Sequence, residues 1–201
     1  MTTTAEHSSD GLTGEARLVA RIADRDEAAF RAVIGEHARL LHRIAYRMMG
    51  DAHEAEDIAQ EAMLRLWDHA PRLSARGGSA GVRLAPWLKR VAINLAIDRL
   101  RVTKRSSDSE VPDRADEAPL ADAQIEADEQ GAAARSLIAK LPDRQRAAIV
   151  LTYYEELSNA DAADALDMNI KAFESLLRRA RVALRKAFGE REAEGERYGR
   201  P

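Results

Sequence analysis

The positions that decide this chain's fold recur three and four apart. Phe30, Val33, Ile34, His37, Leu41, Ile44, Ala45 and Met48 come to one side of a helix, and Gly50 stands where that helix would end. Asp51 with Glu54 three residues on is a capping signal for a second helix. Its stripe is Ala55, Ile58, Ala59, Ala62, Met63 and Leu66, and Pro71 is expected to stop it. After the glycine-containing loop Ser74 to Ala85, Pro86 opens a third helix that reaches about Arg101. Further on, one helix leads up to Lys140 and a second runs from Leu141-Pro142 to about Tyr154. Ser158-Asn159-Ala160-Asp161 is a capping box for a short helix ending near Leu166. Asp167-Met168-Asn169 makes a turn, and Phe173, Leu176, Leu177, Ala180, Ala183 and Leu184 line a last, longer helix.

The periodicity predicts an all-α fold of two small helical domains. Composition agrees, since 32% of the residues are charged and only 4% aromatic, a poor mixture for sheets. With no cysteine, disulfides, thiolate metal sites and cysteine nucleophiles are excluded. The polar start of the chain lacks the features of a secretion signal, and no apolar run approaches membrane-spanning length. A cytoplasmic protein without membrane insertion is expected.

A net charge of −3 argues against a nucleic-acid partner until its distribution is followed. From Arg83 to Arg105 there are seven Lys/Arg and one acid, and from Ile170 to Phe188 there are six and one. The acids collect between them, from Asp108 to Glu129. Segregated in this way, a mildly acidic chain can still bind phosphate locally.

A short helix, a tight turn and a basic helix are the ingredients of a helix-turn-helix. In that geometry Asn169, Lys171, Glu174, Ser175 and Arg178 reach towards base edges, while Arg179 and Arg181 suit phosphates. An ordinary solvated face is the competing reading. In the earlier basic helix Arg90, Asn94 and Arg101 share a face, with Trp87 one turn before Arg90. Cations and an amide beside an aromatic ring suit single-stranded DNA, although Trp87 could equally anchor a core. The acidic run Asp51, Glu54, Glu56, Asp57 and Glu61 is accounted for by a helix N-terminus, which tolerates negative charge. No metal site is read from it or from His53, because neighbouring residues of one helix point in different directions. No catalytic triad spacing, phosphate-cradling loop or paired-carboxylate pattern is present, so neither an enzyme nor a small-molecule cofactor is expected.

Taken in order, these segments resemble the extracytoplasmic-function sigma factors of the sigma-70 family, from about Leu18 to Phe188. The run Asp51 to Glu61 with Leu64-Arg65-Leu66-Trp67 is similar to the family's polymerase-binding helix. The resemblance implies that Glu56, Asp57, Gln60, Glu61 and Leu64 face the β and β′ subunits of core RNA polymerase. Pro86 to Arg101 resembles the promoter-melting, minus-ten-recognition helix, which gives Trp87, Arg90, Asn94 and Arg101 to the melted strand. The loop before it would then hold a base flipped out of the stack. Leu141 to Arg146, Leu157-Ser158 and Arg178 to Arg185 are similar to the helix-turn-helix that reads the minus-thirty-five element. A regulator, usually an anti-sigma protein, is implied as a further partner, and no small-molecule substrate is.

The implied organisation is a sigma region 2 domain at 15–105, a flexible acidic linker at 106–120 and a sigma region 4 domain at 121–189. The tails 1–14 and 190–201 are expected to be disordered. Three departures from the family pattern are visible. Asp167 stands where a glycine is usual, which Asp accepts because it enters the left-handed region more easily than most residues. Glu174 replaces a basic residue, so promoter sequence does not carry over, and the loop 74–85 offers no obvious aromatic. The rival readings are an autonomous helix-turn-helix regulator and a sigma-like decoy that titrates an anti-sigma protein. The polymerase-like helix opposes the first, and the two basic helices oppose the second.

Overall fold

Short-range capping sets several of the helix boundaries. The computed structural model describes residues 6–77, 83–107 and 129–198. Its elements are α1 (Glu6–Ala23), α2 (Glu27–Met49), α3 (Ala52–Gly77), α4 (Leu84–Ser107), α5 (Glu129–Ala139), α6 (Asp143–Ile149), α7 (Asn159–Ala165) and α8 (Ile170–Tyr198). A π-helical turn, Val150–Tyr154, continues α6. The described residues contain helices and no strand, as the periodicity predicts.

Asp26 starts α2 by accepting from the backbone N–H groups of Ala28 and Ala29. Gly50 ends it in the left-handed region at φ 73°, its N–H donating to the Tyr46 carbonyl over 2.8 Å. Asp51 then caps α3 by accepting from the Glu54 N–H at 2.9 Å. The start of α4 is capped from a distance, for the Leu84 N–H donates to the Glu15 carboxylate on α1. These links deliver the apolar stripes to a common interior. Val33, Leu41, Ile44 and Met48 of α2 meet Ile58, Ala62 and Leu66 of α3 and Leu88, Ile93 and Ala96 of α4, all nearly or wholly buried. The second half packs α6 and α7 onto α8 around Phe173, which has no exposed surface.

Two boundaries and both tails differ from the sequence reading. Helix α3 does not stop at Pro71 but continues to Gly77 with the proline inside it. A proline within a helix removes the donor to the carbonyl four residues back. Here that carbonyl belongs to Trp67, and the Arg25 guanidinium donates to it at 3.3 Å. The substitute donor stands 5.1 Å from the Trp67 ring centre, so one arginine supplies both a hydrogen bond and a cation–π contact. Helix α4 begins at Leu84, two residues before Pro86. The tails read as disordered carry helix over much of their length, since α1 starts at Glu6 and α8 ends at Tyr198. Glu and Arg, seven of the twelve residues after Gly189, are strong helix formers without needing an apolar stripe. The acidic linker, 106–120, lies for the most part outside the described residues, as does the middle of the loop 74–85.

The two halves pack against each other. The buried residues of α1–α4 and of α5–α8 form one continuous cluster, with α4 lying against both α6 and α7.

Candidate functional site

Three surfaces carry the residues singled out by sequence. On α3, Glu56, Gln60 and Leu64 follow at four-residue spacing and lie exposed on one face, with Asp57 beside them. Gln60 donates to the Glu56 carboxylate at 3.3 Å, and Glu61, half-buried, pairs with Arg65 at 3.0 Å. Asp57 is 4.0 Å from Arg99 of α4, which binds Glu54 more closely at 2.7 Å. Leu64 is 56% exposed, unusual for a leucine on a well-packed helix. It borders an apolar groove between α2 and α3 lined by Phe30, Ile34, Ala59 and Met63, with Glu56, Gln60, Arg39 and His42 at its edges. Glu56, Gln60 and Leu64 thus border a groove that sequence reading did not anticipate, while Asp57 and Glu61 lie outside its lining, beside Arg99 and Arg65.

Helix α4 carries the second set. Trp87 is partly buried against the core, with its ring 6.3 Å from that of His69. It is therefore packed against the core while part of its surface stays accessible. Asn94 is half-buried and Arg101 is exposed, 3.6 Å from Asp98. Arg90 does not stand alone, because it pairs at 3.1 Å with Asp167, the turn residue of the second half.

The third surface is built by α7, the turn and α8. Ser158 caps α7 by accepting from the Asp161 N–H at 3.1 Å, while its hydroxyl donates to the Asp161 carboxylate at 2.7 Å. That hydroxyl, helped by Arg83, holds the Asp161 carboxyl below the usual carboxylate range. At the other end of α7 the Arg144 guanidinium donates to the Leu166 carbonyl. Asp167 then takes φ 53°, the left-handed conformation its side chain tolerates. Asn169 closes the turn as the cap of α8, accepting from the Ala172 N–H at 2.8 Å. Its amide oxygen is thereby committed to the backbone, which sequence reading overlooked when it offered this residue to bases. Lys171, Glu174, Ser175, Arg178, Arg179 and Arg181 are all exposed on α8, over an apolar side formed by Phe173, Leu176, Leu177 and Ala180. Arg179 donates to the Ser175 carbonyl, and Arg181 lies 5.5 Å from the Tyr153 ring centre.

A fourth set of residues had no sequence signal. Glu155 follows the π turn, its N–H bonded to the Val150 carbonyl, and its side chain is only 2% exposed. Lys89 of α4 lies 3.2 Å from it and Arg47 of α2 3.5 Å. Arg47 also sits 4.4 Å from the Tyr154 ring centre. Burial pulls the Arg47 guanidinium below its ordinary value, with the Glu155 charge opposing the shift. Arg146 is buried as well, donating to the carbonyls of Met48 at the end of α2 and Ala139 at the end of α5. Burial likewise lowers its affinity for its proton. These partners lie up to 108 residues apart, beyond the reach of any local pattern.

Among the described residues no group of three or more histidine or acidic side chains is placed to hold a metal, and no helix is long and apolar enough to cross a membrane.

Comparison with known proteins divides the chain along the same lines. Residues 33–106 match the family model of sigma-70 region 2, and residues 132–184 match that of sigma-70 region 4. The chain is 31% identical over 181 residues to the ECF RNA polymerase sigma factor SigW of Bacillus subtilis, covering 85% of this chain and 94% of that one. With SigL of Mycobacterium tuberculosis, another ECF RNA polymerase sigma factor, it shares 33% identity over 177 residues, 86% of this chain and 96% of the other. Among solved structures, CnrH in complex with the cytosolic domain of CnrY superposes with a TM-score of 0.62 at 22% identity, covering 88% of this chain and 97% of that one. The sigma factor RpoE of Bartonella quintana, in complex with the anti-sigma factor NepR, gives 0.61 at 21% identity, over 80% and 96% of the two chains. At those identities the two structures speak for the fold.

Proposed function

Because the chain belongs to the extracytoplasmic-function sigma factors of the sigma-70 family, we propose that its three surfaces divide the work of transcription initiation. The α3 face, Glu56, Asp57, Gln60, Glu61 and Leu64, binds core RNA polymerase. Its acids complement a basic partner, and the apolar groove beside Leu64 supplies desolvated contact area. Trp87, Arg90, Asn94 and Arg101 of α4 hold the melted minus-ten strand, the ring stacking on a base while the cations meet phosphates. On α8, Lys171, Glu174, Ser175 and Arg178 read the minus-thirty-five duplex, while Arg179 and Arg181 contact its backbone. Asn169 positions the helix for this task as its cap. The protein performs no covalent chemistry, since nucleotide addition belongs to the core enzyme.

The observation that carries this reading is the exposed row on α8, with every polar residue of the helix-turn-helix face free of the core while Phe173 is wholly buried. The working units are a region 2 domain at 15–105 and a region 4 domain at 121–189, joined through 106–120, acting in the cytoplasm. A protein of the anti-sigma class is the partner expected to control access to them. Co-purification with core polymerase tests the first assignment. Wild type should bind core, Asp57→Arg should lose binding, and Arg178→Ala should keep it. Equal binding by Asp57→Arg would remove α3 from the polymerase interface.

A further inference from the structure

One acid interrupts the cations of α8. Between Ile170 and Phe188 the helix carries six lysines and arginines, and Glu174 is the single carboxylate among them. Lys171 stands one turn before it and Arg178 one turn after, so the three share a face, and all are exposed. Phe173, wholly buried, fixes the rotation of the helix at this point and turns Glu174 outward. The carboxylate lies in the second turn, whereas the field of a helix N-terminus that favours acids falls off within the first. Among the described residues it makes no ion pair, although a glutamate four residues before an arginine is well placed for one. Neither the helix dipole nor a partner within the chain accounts for an acid at this position.

Against a duplex, a carboxylate is repelled by every phosphate, so it is tolerated only where it points into the groove and meets a donor. Two base groups donate in the major groove, the N4 amino group of cytosine and the N6 amino group of adenine. Adenine presents its N7 acceptor beside that donor, which a carboxylate opposes and which cytosine lacks. Thymine offers the O4 acceptor and guanine offers O6 and N7, so either would set an acceptor against an acceptor. The guanine paired with the cytosine supplies O6 and N7 close by, which suit the guanidinium of Arg178. An acid followed one turn later by an arginine is thus complementary to a C·G pair, and it discriminates partly by what it rejects.

We propose that Glu174 is a specificity-determining residue of α8, selecting cytosine at one position of the minus-thirty-five element by accepting a hydrogen bond from its N4 amino group. This role rests on the assignment of α8 to that duplex. Lys171 and Arg178, on either side, hold the helix in the groove against the repulsion between the acid and the phosphates. Replacing the carboxylate by an amide keeps the length of the side chain but adds a donor, and an amide pairs bidentately with adenine N6 and N7. The element read by Glu174→Gln therefore differs from the wild-type element at a single position. A glutamate that served only solubility or helix formation would leave no such signature.

The test uses holoenzyme reconstituted from core polymerase and the full-length chain, a promoter library randomised through both elements, and sequencing of the bound fragments. Wild type should enrich cytosine at one position of one strand of the minus-thirty-five element. Glu174→Gln should move that position to adenine, and Glu174→Ala should accept all four bases there, with the remaining positions unchanged in both. On one selected duplex, changing that cytosine to thymine should weaken binding of the wild-type holoenzyme by about tenfold and that of Glu174→Ala hardly at all. Identical preferences in all three proteins at an enriched element, or a change spread over the whole element, overturn the role of Glu174. If wild type enriches no sequence in the minus-thirty-five element, the assignment of α8 to that duplex falls, and the role of Glu174 falls with it.

Discussion

Helices α4 and α8 are both rich in arginine and lysine, yet their charges meet different surroundings. On α8, Arg178 and Arg179 are exposed on a helix seated by Phe173, Arg179 donating to the Ser175 carbonyl of the same helix, and Arg181 rests on the Tyr153 ring. On α4, Lys89, Arg90 and Lys104 are each matched by an acid from the opposite half of the molecule. A charge run therefore defines a capacity to bind phosphate, while tertiary packing decides whether that capacity is available. Arg178 of α8, the helix proposed to read duplex DNA, is exposed, whereas Lys89, Arg90 and Lys104 of α4, the helix proposed for the melted strand, lie against acids of the other half.

The largest effect expected on this contrast comes from unseating α8. Phe173→Ala removes the largest wholly buried side chain and should lower stability by about 3–5 kcal/mol, as measured by urea unfolding. Duplex binding should fail with it. Next comes Arg146→Ala, which strips donors from the Met48 and Ala139 carbonyls and should cost about 3 kcal/mol in the same assay. Unlike Phe173→Ala, this variant should also separate the two halves, which small-angle scattering would register as a larger radius of gyration.

A sharper comparison sets one arginine from each helix side by side. Arg178→Ala should weaken binding of the isolated protein to minus-thirty-five duplex by about 1–3 kcal/mol if it contacts a base. Arg90→Ala should leave that binding almost unaltered, because its partner is Asp167 and not the duplex. Fluorescence anisotropy at one fixed salt concentration measures both. Equal losses would erase the distinction between the helices.

The smallest effect concerns the cap of α7. Ser158→Ala should cost about 1 kcal/mol in thermal or urea unfolding. It should also raise the Asp161 carboxyl towards its ordinary value, because the Ser158 hydroxyl is the main cause of its depression. The sign is set by linkage. A carboxyl depressed in the folded state stabilises above its unfolded value, and that contribution disappears as pH falls through the folded one. The serine variant should therefore lose less stability on acidification, and a carbon-detected NMR titration of Asp161 would track the shift itself.

Much of the fold was legible because its signals are local. Gly50 and Asp167 both take the left-handed conformation their positions suggested, and Asp51 and Ser158 cap the helices they precede. The order of the three functional segments was legible for the same reason, each being a continuous run on one helix. Pro71 misled because its effect on α3 is cancelled by Arg25, forty-two residues from the carbonyl it satisfies. Asn169 was placed on the right turn but given to bases, although its oxygen serves the Ala172 N–H. Glu155 left no trace at all. Two acids after two tyrosines resemble any solvated helix end, and only the folded chain puts one of them between Arg47 and Lys89.

The central claim is that this chain supplies core polymerase with promoter specificity through surfaces on separate helices. Run-off transcription with purified core and a genomic promoter library tests it most directly, comparing wild type with Asp57→Arg and Arg178→Ala. The account predicts promoter-specific transcripts that require the protein and weaken in both variants, in the first through lost core binding and in the second through lost minus-thirty-five contact. A core enzyme that is neither bound nor redirected by the wild-type chain would contradict it.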